Sequence, residues 1–192
     1  FELHKNRKFK QARLKYRKLI RRCPNNPDIL NAYGVLLSQI GETDAAIENL
    51  NKAARLAPEN LNIHLNLFQS LSVVDRVPEL ENTLRTLTDL SPNDAFLLSQ
   101  LGEILVRQNL LTEAEPYFSR AVEVNPNTLS AWNGLGNILE RRGEFPNAEH
   151  CYLKSIAIDQ TRPEAYYNLG NVLRQQNKLI ESINALKTAI EL

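Results

Sequence analysis

The sequence lacks the long apolar segments and paired cysteines that mark many membrane and secreted proteins. No run among its 192 residues approaches the about 18 consecutive apolar residues of a membrane-spanning helix. A basic run, not an apolar core, follows the first residues, which argues against a signal peptide. Two isolated cysteines, Cys23 and Cys151, fit a reducing compartment better than a disulfide framework, and we therefore expect a cytoplasmic protein.

Catalytic signatures are also missing from the sequence. The three histidines, His4, His64 and His150, are scattered and have no acidic partner at the spacing of a metal site or a catalytic triad. The chain contains no His-Glu-x-x-His, Cys-x-x-Cys or Gly-x-Ser-x-Gly motif and no glycine-rich phosphate loop. The single tryptophan, Trp132, lies at helical spacing with Leu135 and Leu139, which favours packing between helices over ligand stacking. We therefore predict a protein that is not an enzyme, with no catalytic residue, no metal and no cofactor.

Charge is distributed unevenly along the chain. Residues 1–22 hold ten Lys and Arg residues and one acidic residue, whereas the remainder holds 13 basic and 21 acidic residues. Aromatic side chains suited to stacking on bases are not interleaved in the basic segment, since Phe9 and Tyr16 fall at predicted core positions. We expect this segment to face solvent or an acidic protein, and we predict neither a nucleic acid nor a membrane as a partner.

A repeat of 34 residues runs through the whole chain, marked by proline, by two small residues and by one large residue. The prolines are Pro24, Pro58, Pro92 and Pro126. The small residues are Gly34, Gly102, Gly136 and Gly170, and at a second position Ala12, Ala46, Ala114, Ala148 and Ser182. The large residues are Tyr16, Leu50, Leu84, Phe118, Tyr152 and Leu186. Because no low-complexity stretch interrupts this pattern, we predict one continuous structural unit without a linker.

One of these periods resembles a known signature. The run Trp132-x-x-Leu135-Gly136-x-x-Leu139, followed by Ala148-x-x-x-Tyr152, resembles the tetratricopeptide repeat (TPR) family. The resemblance implies an all-α fold, a right-handed superhelical solenoid of antiparallel helix pairs. We expect helices near 27–40 and 44–57, repeated every 34 residues.

The family's phase divides the chain, interpreted as a single TPR domain over 1–192, into successive repeats. Residues 1–26 are a partial repeat, mainly its second helix, and residues 163–192 are a nearly complete one. The full repeats are 27–60, 61–94, 95–128 and 129–162. Repeat 61–94 is degenerate because Phe68 replaces the glycine and Leu80 replaces the alanine. Neutral drift with repacking and a changed superhelical pitch both fit this pair of substitutions.

In such an array, the first helix of each pair lines the concave groove. The face of this helix that lies opposite its packed, apolar side points into the groove. In this chain these faces are rich in Asn, Gln and Arg. Carboxamides match both the donors and the acceptors of a peptide backbone, and guanidinium groups match carboxylates. The predicted peptide-binding residues are Asn66, Gln100, Glu103, Arg107, Asn133, Asn137, Glu140, Arg141, Tyr167, Asn168, Asn171, Arg174 and Gln175.

Two binding modes known in the family can be compared with these positions. The clamp for a C-terminal carboxylate uses a lysine at position 5 of a repeat, where this chain has none. The TPR arm of O-linked N-acetylglucosamine transferases, which the chain resembles more closely, carries an asparagine ladder at position 6. Asn66 and Asn168 match that ladder, whereas Ala32, Gln100 and Gly134 interrupt it.

The pattern favours a non-catalytic scaffold that binds an extended peptide, or a segment of a partner protein, in the groove. The alternative is the substrate-recognition arm of a larger enzyme, such as a glycosyltransferase, whose catalytic domain lies outside this chain. We expect a fragment, because the chain starts within a repeat. The last helix carries Ile180, Ile183 and Ile190 in place of a polar cap, which predicts a homo-oligomer that pairs through uncapped ends.

Overall fold

The computed structural model describes residues 8–192, and all regular elements in that range are α-helices. The eleven helices of these residues are α1 (Phe9–Arg22), α2 (Pro27–Gln39), α3 (Thr43–Leu56), α4 (Leu61–Leu71), α5 (Val77–Leu90), α6 (Ala95–Arg107), α7 (Leu111–Val124), α8 (Leu129–Arg141), α9 (Phe145–Ile158), α10 (Pro163–Gln175) and α11 (Leu179–Glu191). The all-α prediction is confirmed, and the first complete pair begins and ends within a residue of its predicted bounds. Short turns join the two helices of each pair, as in an antiparallel hairpin.

The chain forms two compact units, one ending at Leu90 and one beginning at Ser91. The first contains α1–α5 and the second contains α6–α11. Inside the first unit, α2 packs against α4; inside the second, α6 packs against α8 and α8 against α10. Neighbouring first helices therefore lie side by side within each unit. The repeat boundaries and the single-domain interpretation stay predictions.

Within a helix pair, a glycine of the first helix makes room for a large side chain of the second. A Cβ atom added to Gly136 would lie 2.6 Å from Cε1 of Tyr152, and one added to Gly34 would lie 2.6 Å from Cγ of Leu50. Both large side chains are buried. The recurring glycine is therefore matched to the recurring large residue.

The turn inside most pairs depends on a residue in the left-handed conformation. The φ angle is +81° at Gly41, +63° at Asn109, +77° at Gly143 and +61° at Asn177, all at the same place in their repeats. Glycine and asparagine adopt this conformation most readily. Repeat 61–94 has Asp75 there, and its first helix has 11 residues where the others have 13. The degenerate repeat thus differs in its turn as well as in its packing.

Two of the recurring prolines, Pro58 and Pro126, supply a carbonyl group to the first helix that follows. Nε1 of Trp132 donates a hydrogen bond to the carbonyl oxygen of Pro126 (2.8 Å). Nε2 of His64, which occupies the same repeat position as Trp132, donates to the carbonyl oxygen of Pro58 (2.9 Å). These bonds tie each ring to the turn between two repeats, in keeping with a packing role for Trp132.

Candidate functional site

The predicted groove residues lie mostly in the second unit, with Asn66 alone in the first. Asn66 is on α4, and its side-chain Nδ2 donates to Oδ1 of Asn31 on α2 at 2.8 Å. This amide is therefore engaged within the chain. The remaining predicted residues are carried by the three first helices of the second unit, α6, α8 and α10.

An open cavity of about 410 Å³ lies along these three helices. It is lined by Glu103, Val106, Arg107, Phe118, Leu129, Ser130, Asn133, Gly134, Asn137 and Asn168. Five of the lining residues belong to the predicted site: Glu103, Arg107, Asn133, Asn137 and Asn168. The structure therefore brings residues of three consecutive repeats to one cavity, whose volume falls in the range of about 300–1,000 Å³ that is typical of ligand sites.

A glycine beside a phenylalanine ring shapes this cavity. A Cβ atom added to Gly134 would come closer than 3.0 Å to three ring carbons of Phe118, and one added to Gly102 would meet the same ring. Phe118 is buried, so its ring has little freedom to move aside. Gly134 occupies the ladder position held by Asn66 and Asn168 in other repeats. The interruption of the ladder thus leaves space for the ring and opens the groove beside it.

Asn133 differs from its counterpart in the first unit. Asn133 and Asn168 occupy the repeat positions of Asn31 and Asn66, whose side chains bond to each other. The side-chain oxygen of Asn133 is instead buried and has no hydrogen-bond partner among residues 8–192. A buried acceptor without a donor costs about 1–3 kcal/mol.

Glu103 is a partly buried carboxylate at the same cavity. Burial raises its pKa, while a hydrogen bond to its Oε2 from Nε2 of Gln100 (3.1 Å) acts in the opposite direction. Glu103 takes part in none of the ion pairs of the described residues. Among residues 8–192, its carboxylate therefore has one neutral hydrogen-bond donor and no cationic partner.

The other predicted site residues do not line the cavity. Oε2 of Glu140 accepts a hydrogen bond from the Tyr152 hydroxyl (2.9 Å), and burial together with this bond raises the pKa of Tyr152. Arg141 is exposed, with Nη1 3.4 Å from Oδ1 of Asn109. On α10, Asn171 is half-buried, whereas Tyr167, Arg174 and Gln175 are exposed. These side chains lie on first helices without converging on the cavity.

Sequence reasoning did not identify Phe118, Leu129 and Gly134 as parts of the site. Phe118 was noted only as one of the recurring large residues, Leu129 was not singled out, and Gly134 was noted only as an interruption of the asparagine ladder. Two features of the sequence could have indicated this part of the site. Gly134 is a second glycine, two residues before Gly136, and Phe118 stands where other repeats have leucine or tyrosine. Only the distance between neighbouring repeats shows that these residues meet.

Residues 8–192 contain no group of three His, Cys, Asp or Glu side chains placed to hold a metal ion. In the same part of the chain, every helix is too short or too polar to cross a bilayer.

Comparison with known proteins identifies the repeat. Family models described as tetratricopeptide repeats match residues 15–48, 99–163 and 151–184. No curated protein sequence matches the chain.

Solved structures resemble the chain over most of its length. A crystal structure of MamA aligns with a TM-score of 0.78 at 22% identity, covering 86% of this chain and 90% of that one. YrrB, described as a TPR protein with an unusual peptide-binding site, aligns with a TM-score of 0.75 at 22% identity, covering 92% and 91%. MamA from Desulfovibrio magneticus RS-1 gives 0.72 at 15% identity, covering 94% of each. These likenesses show the fold, and with the matching family models they establish that the chain belongs to the tetratricopeptide repeat family.

Proposed function

We propose that the second unit binds an extended polypeptide segment along α6, α8 and α10, and that the chain acts as a protein-interaction scaffold. The observation that carries this proposal is the single cavity at which five predicted groove residues from three repeats meet. The likeness to YrrB, whose description includes a peptide-binding site, is consistent with such a role.

The chemistry of the cavity suits a peptide better than an apolar ligand. Asn133, Asn137 and Asn168 each offer an amide donor and an amide acceptor, the two groups that an extended backbone presents in alternation. Val106 and Leu129, which are both partly exposed, add apolar surface that can receive a side chain. Most of the affinity of such sites comes from a few side chains in the desolvated centre of the contact. We therefore expect the residues at the cavity to matter more than the exposed ends of α10.

Peptide selection followed by calorimetry tests the proposal. Peptides would be selected from a random display library on the immobilised wild-type chain, and their affinities measured for wild type and for an Asn137→Ala, Asn168→Ala variant. We expect the double variant to bind at least about tenfold more weakly, which corresponds to about 1.4 kcal/mol. Its melting temperature should stay near that of wild type, because neither side chain is fully buried.

Asn66→Ala provides a matched control. Its amide is bonded to Asn31 in the first unit, and its removal should leave the affinity of the selected peptides unchanged. Equal affinity of all three proteins would contradict binding at this cavity, as would a selection that yields no binding peptide.

A further inference from the structure

We infer that the cavity beside Gly134 selects a basic side chain, Lys or Arg, of the bound peptide, and that Glu103 is its anionic partner. This inference rests on the proposed function and specifies the class of peptide that the groove prefers.

Glu103 is a carboxylate without a cationic partner among residues 8–192. It lines the cavity, is shielded from water in part, and receives one hydrogen bond from a neutral amide. None of the ion pairs formed by residues 8–192 involves it. Removing a carboxylate from water is costly unless a cation or several donors compensate. The raised pKa of Glu103 has the same cause, and a bound cation would relieve it.

Two residues that line this cavity have hydrogen-bond acceptors without a protein donor. The side-chain oxygen of Asn133 has no partner among residues 8–192, and Oε1 of Glu103 accepts no hydrogen bond from them either. An ammonium group carries three donors and a guanidinium group carries five, with no acceptor in either. A basic side chain therefore supplies what the cavity lacks, whereas an acidic one would add further unpaired acceptors.

The cavity lining also has an apolar part. Val106 and Leu129, which are both partly exposed, provide a surface along which an aliphatic stem can lie. Lys and Arg bury such stems against apolar groups while the charged end stays in a polar environment. The cavity offers both an apolar surface for the stem and a polar environment for the charged end, with Glu103 as its anionic group.

Arg107 lines the same cavity, and its positive charge repels a cation that Glu103 attracts. Arg107 is exposed, whereas Glu103 is partly buried. Water and salt screen an exposed charge strongly, and a buried charge acts through a lower effective dielectric constant. The attraction by Glu103 therefore exceeds the repulsion by Arg107 for a head group inside the cavity.

The test uses short peptides with blocked ends, randomised except for one central residue. The central residue is fixed in turn as Lys, Arg, norleucine or Glu, where norleucine keeps the apolar stem of lysine and removes its charge. Retention on the immobilised wild-type chain should be about tenfold higher for the Lys and Arg libraries than for the norleucine library. This comparison requires no variant and is therefore independent of any effect of mutation on folding.

Variants then assign the preference to Glu103. Glu103→Gln should reduce the preference for Lys and Arg to the level of norleucine, and Glu103→Lys should shift it to the Glu library. Glu181→Gln is the matched control, because Glu181 is exposed on α11 away from the cavity, and it should keep the wild-type preference.

Each alternative outcome is decisive. Retention of all libraries by wild type without a basic preference would overturn the inference and leave peptide binding intact. A basic preference that persists in Glu103→Gln would also overturn it. Failure of every library to bind would overturn both the inference and the proposed function.

Discussion

Gly136→Ala tests how tightly the interior of the α8–α9 pair is filled. The added Cβ atom would lie 2.6 Å from Cε1 and 2.9 Å from Cδ1 and Cζ of Tyr152. Tyr152 is 1% exposed, and its hydroxyl donates to Oε2 of Glu140 at 2.9 Å. The ring therefore cannot turn aside without losing this bond or displacing its buried neighbours.

The expected magnitude is the balance of two opposing effects. Alanine is favoured over glycine inside a helix by about 1 kcal/mol. Overpacking a filled core costs about 1–3 kcal/mol, and a contact of 2.6 Å with a buried ring belongs in the upper part of that range. We therefore expect Gly136→Ala to lower the free energy of unfolding by about 1–2 kcal/mol. Gly136→Leu, which places three more carbon atoms, should lower it by a few kcal/mol.

A double-mutant cycle separates the two effects. Each variant is unfolded in urea, and circular dichroism monitors the unfolding. In a Tyr152→Ala background the space beside Gly136 is open, and the helix preference of alanine acts alone. Gly136→Ala should then raise the free energy of unfolding by up to about 1 kcal/mol. A loss of stability of the same size in both backgrounds would refute the contact between this glycine and the tyrosine ring.

Three other features give separate predictions: a turn, the two thiols and the last helix. Gly143→Ala should destabilise by about 1 kcal/mol in urea unfolding because φ is +77° there, whereas Asn109→Gly at the same turn position should not destabilise. Burial raises the pKa of the Cys151 thiol to about 11, so Ellman's reagent at neutral pH should modify exposed Cys23 and leave Cys151 intact by mass spectrometry. Fast reaction at both thiols would contradict the burial of Cys151. Ile183 is 52% exposed on the apolar face of α11, and we propose that two copies pair there. Light scattering should show a mass that rises with concentration for wild type and stays monomeric for Ile183→Lys; a monomer at every concentration would exclude the pairing.

The helix pairs could be predicted because every period carries its own evidence. One apolar stripe at helical spacing marks the first helix of a pair, and the recurring small and large residues mark the second. Repeat 61–94 shows the limit of this reasoning. Its substitutions at Phe68 and Leu80 were visible in the sequence, but only the structure shows that α4 is shorter and is followed by a turn without a residue in the left-handed conformation.

The candidate site could be predicted by helix face, but not by shape. Helical periodicity assigns Glu103, Asn137 and Asn168 to one side of their helices, and the structure places all three at the cavity. Which asparagine side chains are already hydrogen-bonded to each other depends on the distance between neighbouring repeats. Asn31 and Asn66 form such a bond between two repeats, and the periodicity within one helix contains no information about it.

The most direct test of peptide binding in the second unit is an NMR titration of the asparagine side-chain amides with the best selected peptide. Binding at the cavity predicts shifts in the signals of Asn133, Asn137 and Asn168 that saturate at the affinity measured by calorimetry. The bonded pair of the first unit, Asn31 and Asn66, should show no shift and serves as an internal control. Saturating shifts at Asn31 and Asn66, with the three cavity asparagines unchanged, would contradict the assignment of the groove to the second unit.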